Sequence, residues 1–238
     1  EIMPSLVGSE MCIRDRLMDG TFSNQEAGMP EGTVHSELLR RPGKLYVLAS
    51  HFHPDHFNKE VLQWREQRPD IIYIFSKDIL RHRRAQKEDA VWLKKGEEYK
   101  DETLSVRAFG STDVGVSFLL QAGGKKIFHA GDLNNWHWMD ESTEAEWKGA
   151  EKNFLHELDD LYAYTPEVDV AMFPVDPRLG KEYMRGAGQF VTKIKTHIFV
   201  PMHFTPEYAK ANAFRDFAEA HGVRFVSLTH RGQKIEIE

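Results

Sequence analysis

The most chemically loaded stretch of this 238-residue sequence is His51-Phe52-His53-Pro54-Asp55-His56. Three imidazoles and a carboxylate within six positions form a metal-ligating set. Neutral histidine and ionised aspartate suit Zn²⁺, with Mn²⁺ or Fe²⁺ as alternatives. In a dry core with no cation, the same groups would suffer desolvation and mutual repulsion, so packing alone explains them poorly. A metal held there would lower the pKa of a bound water toward ~7 and polarise a substrate oxygen.

Such a loop needs a rigid support, and the residues before it supply one. Residues 45–49 (LYVLA) form a short apolar run of the kind found in a strand buried on both faces. After the loop, Asn58 is placed to cap a helix carrying Val61, Leu62 and Arg65. Further strands are expected over 71–75, 104–109, 116–121, 126–130, 168–173 and 197–201, then 224–228 and 234–237. The turn Ala122-Gly123-Gly124 joins the third and fourth of these eight. Helices are expected over 77–87, 183–195 and 207–221. A longer one opens at the capping box Thr143-x-x-Glu146, with Trp147, Phe154, Leu158 and Leu161 as its core stripe. Strands alternating with helices indicate one α/β domain.

Composition bounds the function classes. Hydrophobic residues at 41% and charged residues at 29% are those of a globular chain rather than a disordered or fibrous one. No apolar run approaches the ~20 residues of a membrane span. With 37 acidic against 31 basic residues the net charge is −6, which disfavours nucleic acid as a partner. The single cysteine, Cys12, permits neither an intramolecular disulfide nor a cysteine zinc site, and a cytoplasmic setting is expected. Residues 4–16 (PSLVGSEMCIRDR) lack helical or strand periodicity and resemble translated adapter sequence. Residues 1–16 are therefore read as a non-native leader and 17–238 as the domain.

His-x-His-x-Asp-His after a strand resembles the signature of the metallo-β-lactamase-fold hydrolase superfamily. Three other segments match in order. Leu17-Met18-Asp19-Gly20 is similar to the early strand whose aspartate supports the site. Phe128-His129-Ala130-Gly131-Asp132 resembles the strand whose aspartate bridges two metals. Phe199-Val200-Pro201-Met202-His203 resembles the late strand ending in a ligand histidine. The implied fold is an αββα four-layer sandwich, here missing its first strands. The resemblance assigns His51 and His53 to a first metal site, Asp55, His56 and His203 to a second, and Asp132 to both. One or two ions, zinc foremost, are implied. Metal-activated water would attack a small ester, lactone or phosphodiester, with Asp55 and Asp132 in the catalytic roles, as in the lactonase-like and phosphodiesterase-like branch.

One departure stands out. The family pattern offers a further histidine in a Gly-His-Thr-like turn, but the corresponding stretch is Gly110-Ser111-Thr112-Asp113. Ser111, Asp113 or His129 are the candidate substitute ligands. The departure keeps a catalytically degenerate metal-binding or sensing domain open beside the hydrolase, and a metal-dependent nuclease is the other alternative. Asn134, Trp136 and His137 after Asp132, with Arg178 and Arg185 further on, are candidate substrate-binding residues. Two arginines suited to bidentate anion recognition point to an anionic small molecule. No membrane partner is expected, and self-association is compatible with the sequence.

Overall fold

The structure is a computed structural model that describes residues 39–40, 42–204, 207–230 and 233. The residues read as a leader, the Leu17–Gly20 motif, the expectation of absent first strands and the strand expected over 234–237 all fall outside those residues. The rest falls into two compact units, one ending at Lys94 and joined by His230 and Gln233, the other spanning Lys95–Thr229.

In the first unit, β1 (Tyr46–Ala49), β2 (Ile72–Ser76) and β3 (Val91–Leu93) form a parallel three-stranded sheet in that order. All four β1 residues are buried, as the apolar run requires. Val47 and Ala49 join Tyr73, Phe75, Phe57, Val61 and Ile79 in one core cluster. Parallel strands need a crossover, and the β1–β2 crossover begins with the histidine loop. Asn58 then caps the next segment by accepting from Glu60 N, but that segment, Lys59–Glu66, is 3₁₀ rather than α. The helix expected over 77–87 is shorter, α1 (Lys77–Arg81), because Arg83 turns into the left-handed region at φ 55°. Strand β3 carried too little periodicity to be read from sequence.

The second unit holds a mixed sheet ordered β10-β9-β8-β7-β6-β5-β4. Its strands are β4 (Glu98–Lys100), β5 (Ser105–Phe109), β6 (Ser117–Ala122), β7 (Lys125–His129), β8 (Glu167–Pro174), β9 (Lys195–Met202) and β10 (Arg224–Phe225). Strands β4 to β7 pair antiparallel and β7 to β10 parallel. The β6–β7 hairpin closes through Gly123 and Gly124, both at positive φ (58° and 78°), which a two-residue turn matched to strand twist demands. Helix α2 (Glu144–Tyr164) carries the complete capping box and buries Phe154, Leu158 and Leu161. Helix α3 (Arg185–Lys193) contributes Phe190, which lies 4.6 Å from Phe173 and 5.4 Å from Phe128 between ring centroids. The helix expected over 207–221 splits into α4 (Tyr208–Asn212) and α5 (Arg215–Ala220). Phe214, between them, is buried against Phe199 at 5.0 Å. Among the described residues no helix is long and apolar enough to cross a membrane.

Candidate metal centre

The ligand-rich loop leaves β1 at Ser50 and is locked at both ends. Phe52 N donates to Asp78 Oδ2 on α1 at 2.9 Å, and the Phe52 ring stacks on His82 at 3.7 Å. His56 N and Phe57 N both donate to the His53 carbonyl, at 3.0 and 2.8 Å, so the chain turns tightly through Pro54 and Asp55. That turn brings ligand atoms of His51, Asp55 and His56 within 4.8 Å of one another. His51 is 0% and His56 2% exposed, with ring centroids 3.9 Å apart. His53 is half-buried and packs edge-on against His51 at 4.8 Å.

Ser50 is what sequence reasoning missed here. Its buried Oγ lies 3.1 Å from His51 Nδ1 and 3.4 Å from His56 Nδ1. A hydroxyl oxygen has two lone pairs and can accept from both Nδ1–H groups, which leaves both Nε2 lone pairs for a cation. Two buried imidazoles and a carboxylate, so disposed, fit a divalent metal. Asp55, whose side chain is half-exposed and 3.6 Å from His56 Nε2, fits a ligand open to solvent.

The second unit builds its own cluster at the ends of β7, β8 and β9. Gly131, at φ 55°, turns the chain after β7 so that Asp132 follows directly. Asp132 Oδ1 lies 3.4 Å from His203 Nε2, and the opposite nitrogen, Nδ1, lies 3.0 Å from Asp176 Oδ2. Asp176 is wholly buried and clamped by Arg178, with Nε 3.0 Å from both carboxylate oxygens and Nη2 2.5 Å from Oδ2. Burial alone would raise this carboxyl, but hydrogen bonds from His203 and Arg178 outweigh it and hold the pKa at about 2.

Around this cluster the candidate substrate residues take distinct places. Trp136 packs edge-on against His203 at 5.5 Å, stacks with Trp138 at 6.3 Å and donates through Nε1 to the Asp132 carbonyl. His137 is buried, with Nε2 donating to the Glu182 carbonyl and Nδ1 accepting from Met139 N, both at 3.1 Å. That imidazole pins the loop to the neighbouring 3₁₀ turn. Asn134 is also buried, and its Oδ1 accepts from Asn135 N at 2.9 Å. Arg185 donates to Glu151 Oε1 at 2.8 Å, a carboxylate that also receives Gln189 and Asn135. Arg178, bound to Asp176, is the more exposed of the two arginines.

The atypical turn is also placed. Thr112 Oγ1 donates to the Asn134 carbonyl at 2.6 Å and accepts from Asn134 N at 3.0 Å, so this hydroxyl braces the loop after Asp132. Ser111 Oγ accepts from Asp113 N at 3.4 Å, and Asp113 itself is exposed. His129 is buried on β7 with Nδ1 accepting from Gly131 N at 3.1 Å.

Comparison with known proteins agrees with this picture. A family model described as the beta-lactamase superfamily domain matches residues 33–204, more than half of the chain. A search of curated proteins finds no match. Among solved structures, the chain is similar to Igni18, a metallo hydrolase from Ignicoccus hospitalis, with TM-score 0.53 and 16% identity over 78% of this chain and 76% of that one. It is similar to the metallo-β-lactamase-fold protein YhfI from Bacillus subtilis, with TM-score 0.54 and 12% identity over 79% and 76%. It is also similar to CmlA, a diiron β-hydroxylase from Streptomyces venezuelae, with TM-score 0.53 and 14% identity over 79% of this chain but 44% of that one. Two sheets with flanking helices, the ordered motifs and the family match agree, and the chain belongs to the metallo-β-lactamase-fold superfamily.

Proposed function

We propose that this protein is a metal-dependent hydrolase of a small anionic ester, lactone or phosphodiester. The observation that carries the proposal is the His51–Asp55–His56 cluster, two buried imidazoles and a solvent-facing carboxylate whose ligand atoms lie within 4.8 Å of one another. The family pattern assigns His51, His53, Asp55, His56, Asp132 and His203 as ligands, and the ligand chemistry suits zinc, with manganese or iron as alternatives. CmlA, which shares the fold, is a diiron enzyme, so iron belongs among the metals to be tried.

A metal held by these groups supplies Lewis acidity and a nucleophilic water at neutral pH. The chain's own residues do the rest. Asp55, partly exposed beside His56, holds the attacking water and takes its proton at a carboxylate oxygen. Trp136, half-buried against His203, walls the substrate side and excludes water. Arg178, half-exposed on Asp176, places a cationic guanidinium at the surface where a substrate anion can approach. A net charge of −6 and one cysteine support a small-molecule substrate and a cytoplasmic setting.

The degenerate, sensing reading is favoured by one observation. Thr112, in the turn where the family offers a histidine, spends its hydroxyl on Asn134. One experiment separates the two readings: metal content of purified wild type and His203→Ala, each assayed on a phosphodiester and lactone panel. The hydrolase reading expects bound metal and turnover in wild type and a loss of both in the variant. Metal-bound wild type with no turnover supports the sensing domain. Protein that neither binds nor responds to Zn²⁺, Mn²⁺ or Fe²⁺ overturns both.

A further inference from the structure

His203 sits between two carboxylates, one on each ring nitrogen, and a neutral imidazole has only one proton to share. Nδ1 lies 3.0 Å from Asp176 Oδ2, and Nε2 lies 3.4 Å from Asp132 Oδ1. We propose that Asp176 is a positioning residue: its carboxylate fixes His203 as the Nδ1–H tautomer and presents the Nε2 lone pair as a metal ligand. This inference rests on the metal-dependent reading above and assigns Asp176 a part in it.

Four observations support it. First, an Nδ1 lone pair 3.0 Å from a carboxylate oxygen would face another lone pair, so the proton belongs on Nδ1. Arg178 Nη2 is a rival donor to the same nitrogen, but it lies further away at 3.4 Å and is already 2.5 Å from Asp176 Oδ2. Second, the carboxylate cannot rotate, because Oδ1 caps the 3₁₀ turn by accepting from Arg178 N at 3.0 Å while Arg178 Nε grips both oxygens. Third, Asp176 is 0% exposed, so no solvent molecule substitutes for it. Fourth, His203 holds φ at 60°, a left-handed conformation that is strained for a non-glycine residue and persists only where its surroundings fix it. Trp136 fixes the ring plane from the other flank. A carboxylate on the far nitrogen of a ligand histidine sets its tautomer and raises its basicity, and loss of such a partner costs about 10–100-fold in metal affinity.

The test compares metal-free wild type and Asp176→Asn by ¹⁵N imidazole NMR, then titrates both with Zn²⁺ against a competing chelator. The carboxamide keeps the size and the cap to Arg178 N but has one acceptor oxygen where the carboxylate has two. The expected result is an Nδ1–H His203 in wild type, a shift toward Nε2–H in the variant, and Zn²⁺ binding weakened by about 10–100-fold. Should Asp176→Asn fold poorly, Arg178→Gln loosens the same carboxylate and is expected to shift the tautomer in the same direction by less. An unchanged tautomer with unchanged Zn²⁺ affinity overturns the inference. The tautomer is read without metal, so a wild type that binds no Zn²⁺ contradicts the hydrolase reading while the NMR shift still stands for Asp176.

Discussion

The histidine loop after β1 and the Asp132–Asp176–His203 cluster solve one problem in opposite ways. The loop gathers its groups from six consecutive residues and orients two imidazoles with a neutral hydroxyl, Ser50. The second cluster draws single residues from the ends of three strands and orients its imidazole with a buried, arginine-clamped carboxylate. A local turn can be stabilised by its own backbone hydrogen bonds, such as those onto the His53 carbonyl. A cluster assembled across strand ends must instead inherit its geometry from sheet register and packing. The loop is therefore expected to depend on its ligands, and the second cluster on its supports.

The largest effect that sharpens this contrast is His56→Ala. It removes a ligand from the loop and is expected to weaken Zn²⁺ by more than about 100-fold, above the cost of losing an outer partner. Thermal stability of the metal-free protein should move little, since it also relieves a crowded pair of rings. Gly186→Ala probes the other side. A Cβ there would collide with Asn134 Oδ1 and approach Asn135 N to 3.0 Å, so the loop after Asp132 must shift. We expect about 1–3 kcal/mol of destabilisation by chemical denaturation, with metal affinity falling alongside.

Smaller effects separate support from ligation. Thr112→Val removes the hydroxyl that bridges Asn134 N and O and is expected to cost about 1–2 kcal/mol in stability. If it instead leaves stability untouched and abolishes metal binding, Thr112 is a ligand rather than a brace. The smallest expected effect is on pH. The Arg185 hydrogen bond, opposed by burial and aided by Gln189, holds the Glu151 carboxyl below its ordinary value. A carboxyl lowered on folding stabilises above its unfolded pKa, and that contribution disappears as pH falls through the folded value. Wild type should therefore lose more stability between neutral pH and pH 3 than Glu151→Gln, as read by denaturant titration at each pH.

The same contrast explains what the sequence could disclose. His51 to His56 announce themselves because their chemistry is contiguous, and 45–49 announces its strand because burial on both faces leaves an unbroken apolar run. Asp132 and His203 stand out only through resemblance, since nothing local separates them from any other aspartate or histidine. Nothing local to Asp176 in the sequence points to His203. The missing fact was the β8–β9 register, Pro174 opposite Met202, which sets residues just past both strand ends side by side. The signal for its cap was present in Asp176-Pro177-x-Leu179, an aspartate before a proline-opened turn. Short edge strands such as β4 left no trace because three residues, two of them exposed, are too few to carry a period.

The most direct test of the central claim is anomalous diffraction from crystals of this protein grown with Zn²⁺. The account predicts anomalous zinc density about 2.0–2.1 Å from Nε2 of His56 and likewise from Nε2 of His203, the ordinary zinc–imidazole distance. Zinc density absent from either imidazole would contradict it.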